Sequence, residues 1–449
     1  MFRSILTTLL VGLAAVGAAA QGPSEPAPTP PSTTAWREAL AAAVRRATAQ
    51  NPRVREAEAR AEAARHRVAQ SSALPDPEVE LGLKDAPVSH PSLTRDDFTM
   101  EMVTGRQHLP GRGKRAAGRA IAEADVESAA AAREREAVEI AADTADAFFQ
   151  LAAIDRGLAL LADARRRLED AAASATELYK VGKTGLADVL QANLETTSLD
   201  EQLSSLRAER RAQAARFNTL QGLPAAEAVP PIPPIPPISP IGPVAPDLVA
   251  PAAADLARRA AERSPAVMAA QAEVHRAEQE LELAGLESRP DWTLLGYYGH
   301  RERFEDLAGV SASINLPWAH RGRLAERRAE KEAALAAARA GVEAARDQLE
   351  GEIAMADADL QKNLEQARLY RDSILPQADL TYRAAREAYA VGKIDFQTLA
   401  RAADNLTFYQ REAAARASGI GRALAALQRA SGLPLIAGTP GEGGSDAEK

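Results

Sequence analysis

The sequence predicts a mainly α protein with a small β part, built as two copies of one unit. Three observations carry this. Long Ala-rich runs hold apolar residues at alternating spacings of three and four. The pentad Tyr-x-Val-Gly-Lys occurs twice, at Tyr179–Lys183 and Tyr389–Lys393, each time between two such runs. Short alternating stretches recur in each half at a matched offset: Asn51-Pro52 is answered by Ser264-Pro265, and Pro77 by Pro290, both 213 residues on. Self-similarity at this scale marks a duplication.

Composition supports long helices. The 449 residues are 46% hydrophobic and only 4% aromatic, and much of the apolar share is Ala. A net charge of −8 argues against a general nucleic-acid binder. The absence of Cys excludes disulfides, thiolate metal sites, a Cys nucleophile and lipidation at an N-terminal Cys.

Residues 1–20 read as a secretory signal, with Arg3, an apolar stretch from Ile5 to Val16 and Ala18-Ala19-Ala20 as the small-residue cleavage site; the alternative is an uncleaved anchor. Residues 21–34 form a Pro-rich leader expected to be disordered, with Thr33 or Thr34 as first N-cap. The first repeat spans 35–224. Its strand 78–84 puts Val79, Leu81 and Leu83 on one face. A second alternation, Asp97 to Val103, gives a hairpin at about 77–104, with Phe98, Met100 and Met102 on one side, expected to face lipid rather than metal. The stretch Gln107-His-Leu-Pro-Gly-Arg-Gly-Lys114 closes the hairpin and leads into a helix to Lys180, with Val138, Ala141, Ala145, Phe148 and Ala152 as its seam. Gly182 turns the chain, and a return helix ends at Gly222-Leu-Pro224.

Residues 225–251 are a Pro-rich linker, extended polyproline, read as a spacer; a docking site for a proline-reading partner is the alternative. The second repeat, 252–435, carries a hairpin at about 290–316 and a helix expected to run unbroken to Tyr389, with Ile353, Ala356, Leu360, Ala367, Tyr370 and Ile374 as its stripe. Gly392 turns it, and Gly432-Leu-Pro434 closes it. Residues 436–449 are expected to be a disordered tail. No stretch of about 20 apolar residues follows the signal, which predicts no transmembrane helix but leaves a β-barrel open. Four short strands cannot close a sheet alone, so several chains would pool their strands into one barrel.

This layout resembles the TolC-like outer-membrane efflux channels over about residues 36–435. The residues that carry the resemblance are Asn51-Pro52, Pro75-Asp-Pro77, Leu109-Pro110 with Gly113-Lys114, the two Tyr-x-Val-Gly-Lys turns and both Gly-Leu-Pro closings, in duplicated order. The length, the Leu-Pro…Gly-Lys segment and Pro376-Gln-Ala378 look most like the cation-efflux, CzcC-like branch. The resemblance implies a homotrimer in the Gram-negative outer membrane: a 12-stranded barrel in lipid and an α-helical barrel across the periplasm. It implies two partners, a periplasmic adaptor (membrane fusion protein) and an inner-membrane transporter of the RND type or another. The chain would be the passive exit duct of their tripartite pump, carrying metal cations or small toxic compounds. A type I protein-secretion channel and a non-membrane periplasmic coiled-coil adaptor or scaffold are the alternatives.

The resemblance also puts both Gly turns at the periplasmic tip. Tyr179, Gly182, Leu186, Val189, Tyr389, Gly392, Phe396 and Leu399 then form the expected adaptor-docking set. Leu186 and Phe396 are included as exposed apolar residues at a tip, against the simpler reading that such residues only pack the hairpin. Asp188 and Arg401 are candidate entrance-gate residues, against a solvated helix face. No metal site is expected, since His66, His90, His108, His275, His300 and His320 show no ligand spacing. No cofactor is expected, and no phosphate loop, His-Glu-x-x-His or Gly-x-Ser-x-Gly motif points to an enzyme.

Overall fold

The structure is a computed structural model, and it describes residues 35–89, 92–94, 97–233, 235, 253–317 and 321–433. The signal, the leader with its Thr caps, His90, His320, most of the linker, Pro434 and the tail lie outside the described residues. In chain order the elements are α1 (Ala35–Gln50), α2 (Pro52–Ser72), β1 (Glu78–Lys84), β2 (Met100–Leu109), α3 (Lys114–Lys180) and α4 (Leu186–Leu220). The second repeat supplies α5 (Ala253–Ala261), α6 (Pro265–Leu286), β3 (Trp292–His300), β4 (Leu307–Ile314), α7 (Arg321–Leu369), a π turn (Tyr370–Ile374), α8 (Leu375–Ala390) and α9 (Phe396–Ser431).

α3 is the spine. At 1.5 Å per residue its 67 residues extend roughly 100 Å. Half of its buried positions are Ala, which lets neighbouring helices come close. The expected seam holds: Ala141, Ala145 and Phe148 are buried. On the sheet side the helices form a row, with α2 on α3, α3 on α6 and α6 on α7. On the tip side α4 packs on α3, α3 on α9, and α9 on α8. Bulk is concentrated where the two rows meet, in a cluster that includes Leu40, Val44, Phe148, Phe149 and Phe217.

Asn51 caps α2 by accepting from the N–H of Arg53 (2.8 Å), with Pro52 in the first turn, and its Nδ2 donates to the carbonyl of Leu220 (2.8 Å). The Asn-Pro and Gly-Leu-Pro signatures therefore meet, each repeat fastening its start to its end. In the second repeat Pro265 likewise abuts Gly432.

The four strands form one antiparallel sheet in the order β1-β2-β3-β4. The register corrects two expectations. β2 starts at Met100 and runs through Gln107-His-Leu109, so the segment read as a closing loop is strand. Met102 pairs with Gly82, and Met100 with Lys84. Both methionines thus share the face of Glu80 and Arg106, opposite Val79, Leu81 and Leu83. Counting the alternation from Asp97 gave the right period, but not which side faced the apolar face of β1. Arg106 bridges Glu78 (3.2 Å) and Glu80 (3.8 Å) on this polar face. The other face carries Val79, Leu81, Val103, Trp292, Leu294 and Val310, all exposed.

A third correction concerns the second long helix. Pro376 lacks an N–H and crowds the carbonyl four residues back. The helix neither breaks nor runs on regularly; it winds through the π turn just before that proline. Ile353, Ala356, Leu360 and Ala367 of the expected stripe are buried, whereas Tyr370 and Ile374 at the π turn are only half-buried.

Sheet and helices are fastened at Asp291, just before β3. It accepts from the N–H of Gly111 (2.6 Å) and from Lys114 Nζ (2.8 Å), side chains that are 19% and 16% exposed for Asp291 and Lys114. Burial pushes its carboxyl up, but Lys114 and the Gly111 N–H outweigh this and leave it below the usual range. A carboxylate held low stabilises the fold above its unfolded value, roughly 3.9, and loses that contribution as pH falls through the lower folded value. Thermal unfolding between pH 2 and 5 is therefore expected to show a fall in Tm in this chain that is smaller in Asp291→Asn, which starts from a lower Tm at pH 7.

Candidate functional site

Both hairpins turn through the same backbone device. Gly182 and Gly392 have φ of 73° and 72°, the left-handed region that a side chain disfavours. Lys183 N–H donates to Leu178 O and Lys393 N–H to Ala388 O, both at 2.9 Å, closing the two helix ends in a Schellman arrangement. Val181 and Val391, beside the glycines, are exposed.

Beyond the glycines the tips differ. Gly185 precedes α4 and offers no side-chain cap; instead the Thr184 hydroxyl donates to Asp188 in the first turn of α4. An acid there also suits the positive end of the helix dipole. Asp395 caps α9, accepting from Thr398 N–H (2.9 Å) and Thr398 Oγ1 (2.6 Å). Those bonds, with Arg401 nearby, hold the Asp395 carboxyl below its usual range. Arg401 itself is exposed.

The predicted docking residues separate into two groups. Leu186 is 53% exposed, Tyr179 is exposed and Val189 is half-buried. Leu190 and Leu194, which the sequence reading did not single out, continue the exposed stripe one and two turns on. Phe396 is 0% exposed, Tyr389 4% and Leu399 3%. This corrects the expectation that Phe396 is an exposed apolar residue. It makes a T-shaped contact with Tyr389 at 5.9 Å, in a core shared with Leu168, Leu199, Leu203 and Leu406. The physical reason is position in the row: α9 lies against α3, while α4 is an outer member. Equivalent positions in the repeat thus meet different surroundings.

Tyr389 and Asp188 come from different repeats, and the charge of Asp188 acts on the Tyr389 phenol. The Tyr389 hydroxyl is buried without a hydrogen-bond partner among the described residues. Burial, and then the Asp188 carboxylate, push that phenol up. A further acid missed in the sequence, Asp404 on α9, is pushed up by desolvation and by Glu195 on α4. Among the described residues no group of three His, Cys, Asp or Glu side chains could hold a metal ion. His66, His275 and His300 each face one carboxylate, and His108 faces Thr293.

Solved structures share this geometry. VceC, an outer-membrane protein of Vibrio cholerae, superposes with a TM-score of 0.71 at 19% identity, covering 90% of this chain and 99% of its own. The chain shares the fold of that outer-membrane protein. The CmeC outer-membrane channel of Campylobacter jejuni gives 0.69 at 14% identity, covering 94% of this chain and 93% of its own. The MtrE outer-membrane channel of Neisseria gonorrhoeae, solved in an open state, gives 0.66 at 15%, covering 88% and 89%. In sequence, residues 43–223 match the family described as "Outer membrane efflux protein". That segment holds the first repeat and its tip. No curated protein matches the chain in sequence.

The burial pattern makes the two tips separable by mutation. Phe396→Ala is expected to lower unfolding stability by about 3–5 kcal/mol, the usual cost of emptying a buried aromatic site. Leu186→Ala is expected to change it by less than about 0.5 kcal/mol, as at other exposed sites. Denaturant melts of the purified protein, followed by circular dichroism, measure both.

Proposed function

We propose that this chain is the outer-membrane channel subunit of a tripartite efflux system, a passive duct for substrates delivered from an inner-membrane transporter through a periplasmic adaptor. The observation that carries the reading is the sheet. One face is largely apolar, the other carries Glu78, Glu80, Lys84 and Arg106, and its free edges β1 and β4 come from opposite repeats. A barrel wall in lipid needs that arrangement: apolar outside, polar within, and no edge left open. Trp292 and Tyr298 stand on the apolar face six residues apart, roughly 20 Å at 3.3 Å per residue, near the height of an outer-membrane apolar band with aromatic girdles. The helical row ends in the same way, on α2 and α4 of the first repeat and on α7 and α8 of the second. Copies would join head to tail at every level, and such contacts close into rings. Three copies, with twelve strands, is the number implied by the TolC-like resemblance. Among the described residues no helix is long and apolar enough to cross a membrane, so lipid contact falls to the strands.

In this reading residues 1–20 export the chain, and the tips are the adaptor-docking end. The exposed stripe of Leu186, Leu190 and Leu194, with Tyr179 and Val181, is the docking surface. Gly182 and Gly392 shape both turns, while Tyr389, Phe396 and Leu399 hold the second tip against the first. Asp188, at the first turn of α4, and Arg401, exposed on α9, are the proposed entrance-gate residues. Metal cations or small toxic compounds are the proposed cargo, as in the CzcC-like branch.

Heat-resistant trimers recovered in the outer-membrane fraction are expected; a soluble periplasmic monomer would overturn the reading. Leu186→Asp or Gly182→Pro is expected to abolish export while leaving trimer and membrane insertion intact. Loss of the gene is expected to raise sensitivity to divalent metals more than to dyes and detergents, and the reverse order would reject the cation assignment.

A further inference from the structure

The Pro-rich segment has a period. Val229, Ile232 and Ile235 stand three residues apart, and each gap is filled by Pro-Pro. Proline fixes φ, and a residue before proline is held extended. Of residues 229–235 only Pro231 and Pro234 do not precede a proline, and each is itself proline. The sequence therefore commits this stretch to polyproline II. That helix turns once every three residues and makes no internal hydrogen bonds. Val229, Ile232 and Ile235 thus form one apolar ridge. From Pro230 to Pro234 only Ile232 keeps an N–H.

The α3–α4 hairpin receives this ridge at its bulkiest level. Val229, Ile232 and Ile235 pack on the cluster that holds Phe148, Phe149 and Phe217, while Pro230 and Pro231 are exposed. The one remaining N–H, that of Ile232, donates to Asp155 Oδ2 on α3 (2.9 Å). Arg210 on α4 donates from Nε to the same carboxylate and from Nη2 to Val229 O (3.0 Å). Just before the ridge, buried Asn218 donates from Nδ2 to Glu227 O (2.8 Å). The Asp155 and Arg210 side chains are only 12% and 22% exposed. A sheltered ion pair is costly unless its remaining bonding capacity is met. Here it is met by backbone groups of the segment, one donor and one acceptor a single polyproline turn apart. A plain spacer would require neither the period nor an acid at its lone N–H.

We propose that the α3–α4 hairpin carries a polyproline II binding groove whose resident ligand is the chain's own segment from Val229 to Ile235. Asp155 and Arg210 read the ligand's backbone, Asn218 fixes its start, and the Phe148–Phe149–Phe217 level is the apolar floor. The ligand class is a proline-rich peptide with an apolar residue at every third position. Aromatic-lined grooves take such peptides because the ligand is already ordered before it docks. The link between the repeats is thereby a strap, fastened to the first repeat before it leaves for the second. The proposal does not depend on the chain being a channel.

A fluorescent peptide of residues 227–235 tests the groove against the full-length chain. Pro230→Gly, Pro231→Gly and Pro233→Gly together loosen the resident segment. This triple variant is expected to bind the peptide about tenfold or more tighter than the unaltered chain, where a tethered competitor holds the groove at a high effective concentration. A scrambled peptide of the same composition, without the period, is expected to bind about tenfold more weakly. Adding Asp155→Ala to the triple variant is expected to weaken binding about tenfold, the loss of a hydrogen bond to a charged group. Hydrogen exchange read by mass spectrometry needs no variant. Ile232 and Ile235 carry the only N–H groups from Pro230 to Pro237, so a fragment from this stretch reports little else. Exchange at Ile232 is expected to be about tenfold or more slower in the chain than in the free peptide. Isotope-labelled unaltered chain co-expressed with excess Asp155→Ala chain is expected to keep that protection. Its loss there would place the segment on a neighbouring copy and overturn the assignment to the chain's own groove. The groove itself is overturned if the triple variant binds periodic and scrambled peptides alike, if it binds neither, or if Ile232 exchanges as fast in the chain as in the free peptide.

Discussion

Close packing of small residues along α3 is the constraint on which the rest of the structure depends. α2, α4, α6 and α9 all lie on this helix, and half of its buried positions are Ala. A small seam lets axes approach closely, so many weak contacts accumulate over a length of roughly 100 Å without a thick core. It also leaves little room for large side chains. Those are gathered at the level of Phe148, Phe149 and Phe217, where α1 adds Trp36 at 6.1 Å from Phe149. Where α9 must cross that bulky level, it does so with Gly421 against the Phe149 ring. The glycine follows from the aromatic rather than from any turn.

The row that α3 organises explains why two copies of one motif do different work. Leu186 and Phe396 occupy the same place after their Gly turns, and sequence offers no reason to treat them differently. In the fold one belongs to α4, which ends the row, and stays exposed, while the other belongs to α9, which is packed between α3 and α8, and is buried. The same argument separates Val189 from Leu399. Duplication gave two equivalent tips; packing in a single row made one a surface and the other a core.

The legibility of the chain follows this division. Features set by local chemistry could be read directly: the αL glycines at 182 and 392, the ends of α3 and α4, and the strands 78–84 and 292–300. Features set by partners could not. The side on which Met100 and Met102 fall depends on pairing with β1, and alternation alone fixes only period, never register. Burial of Phe396 depends on a helix far away in sequence. The π turn was missed because the expected helix was drawn unbroken through Pro376. The action of Asp188 on Tyr389 joins residues 201 positions apart, and neither carries a local sign of the other.

Symmetry between the repeats and difference between them serve separate ends. In the proposed ring the edges β1 with β4 and α2 with α7 would meet, and a head-to-tail ring closes only if one end of the unit accepts the other. The chain breaks the equivalence of the repeats at two points on one side of the unit: Pro376 beside the π turn, and paired glycines at 419 and 421. It breaks it again on the other side, where Asp155 and Arg210 fasten the start of the Pro-rich segment across α3 and α4. The π turn in one arm and the strap on the other are both departures from the duplicated plan. The tips depart in the same way, since the second is buried in a shared core while the first presents Leu186, Leu190 and Leu194 to the surface.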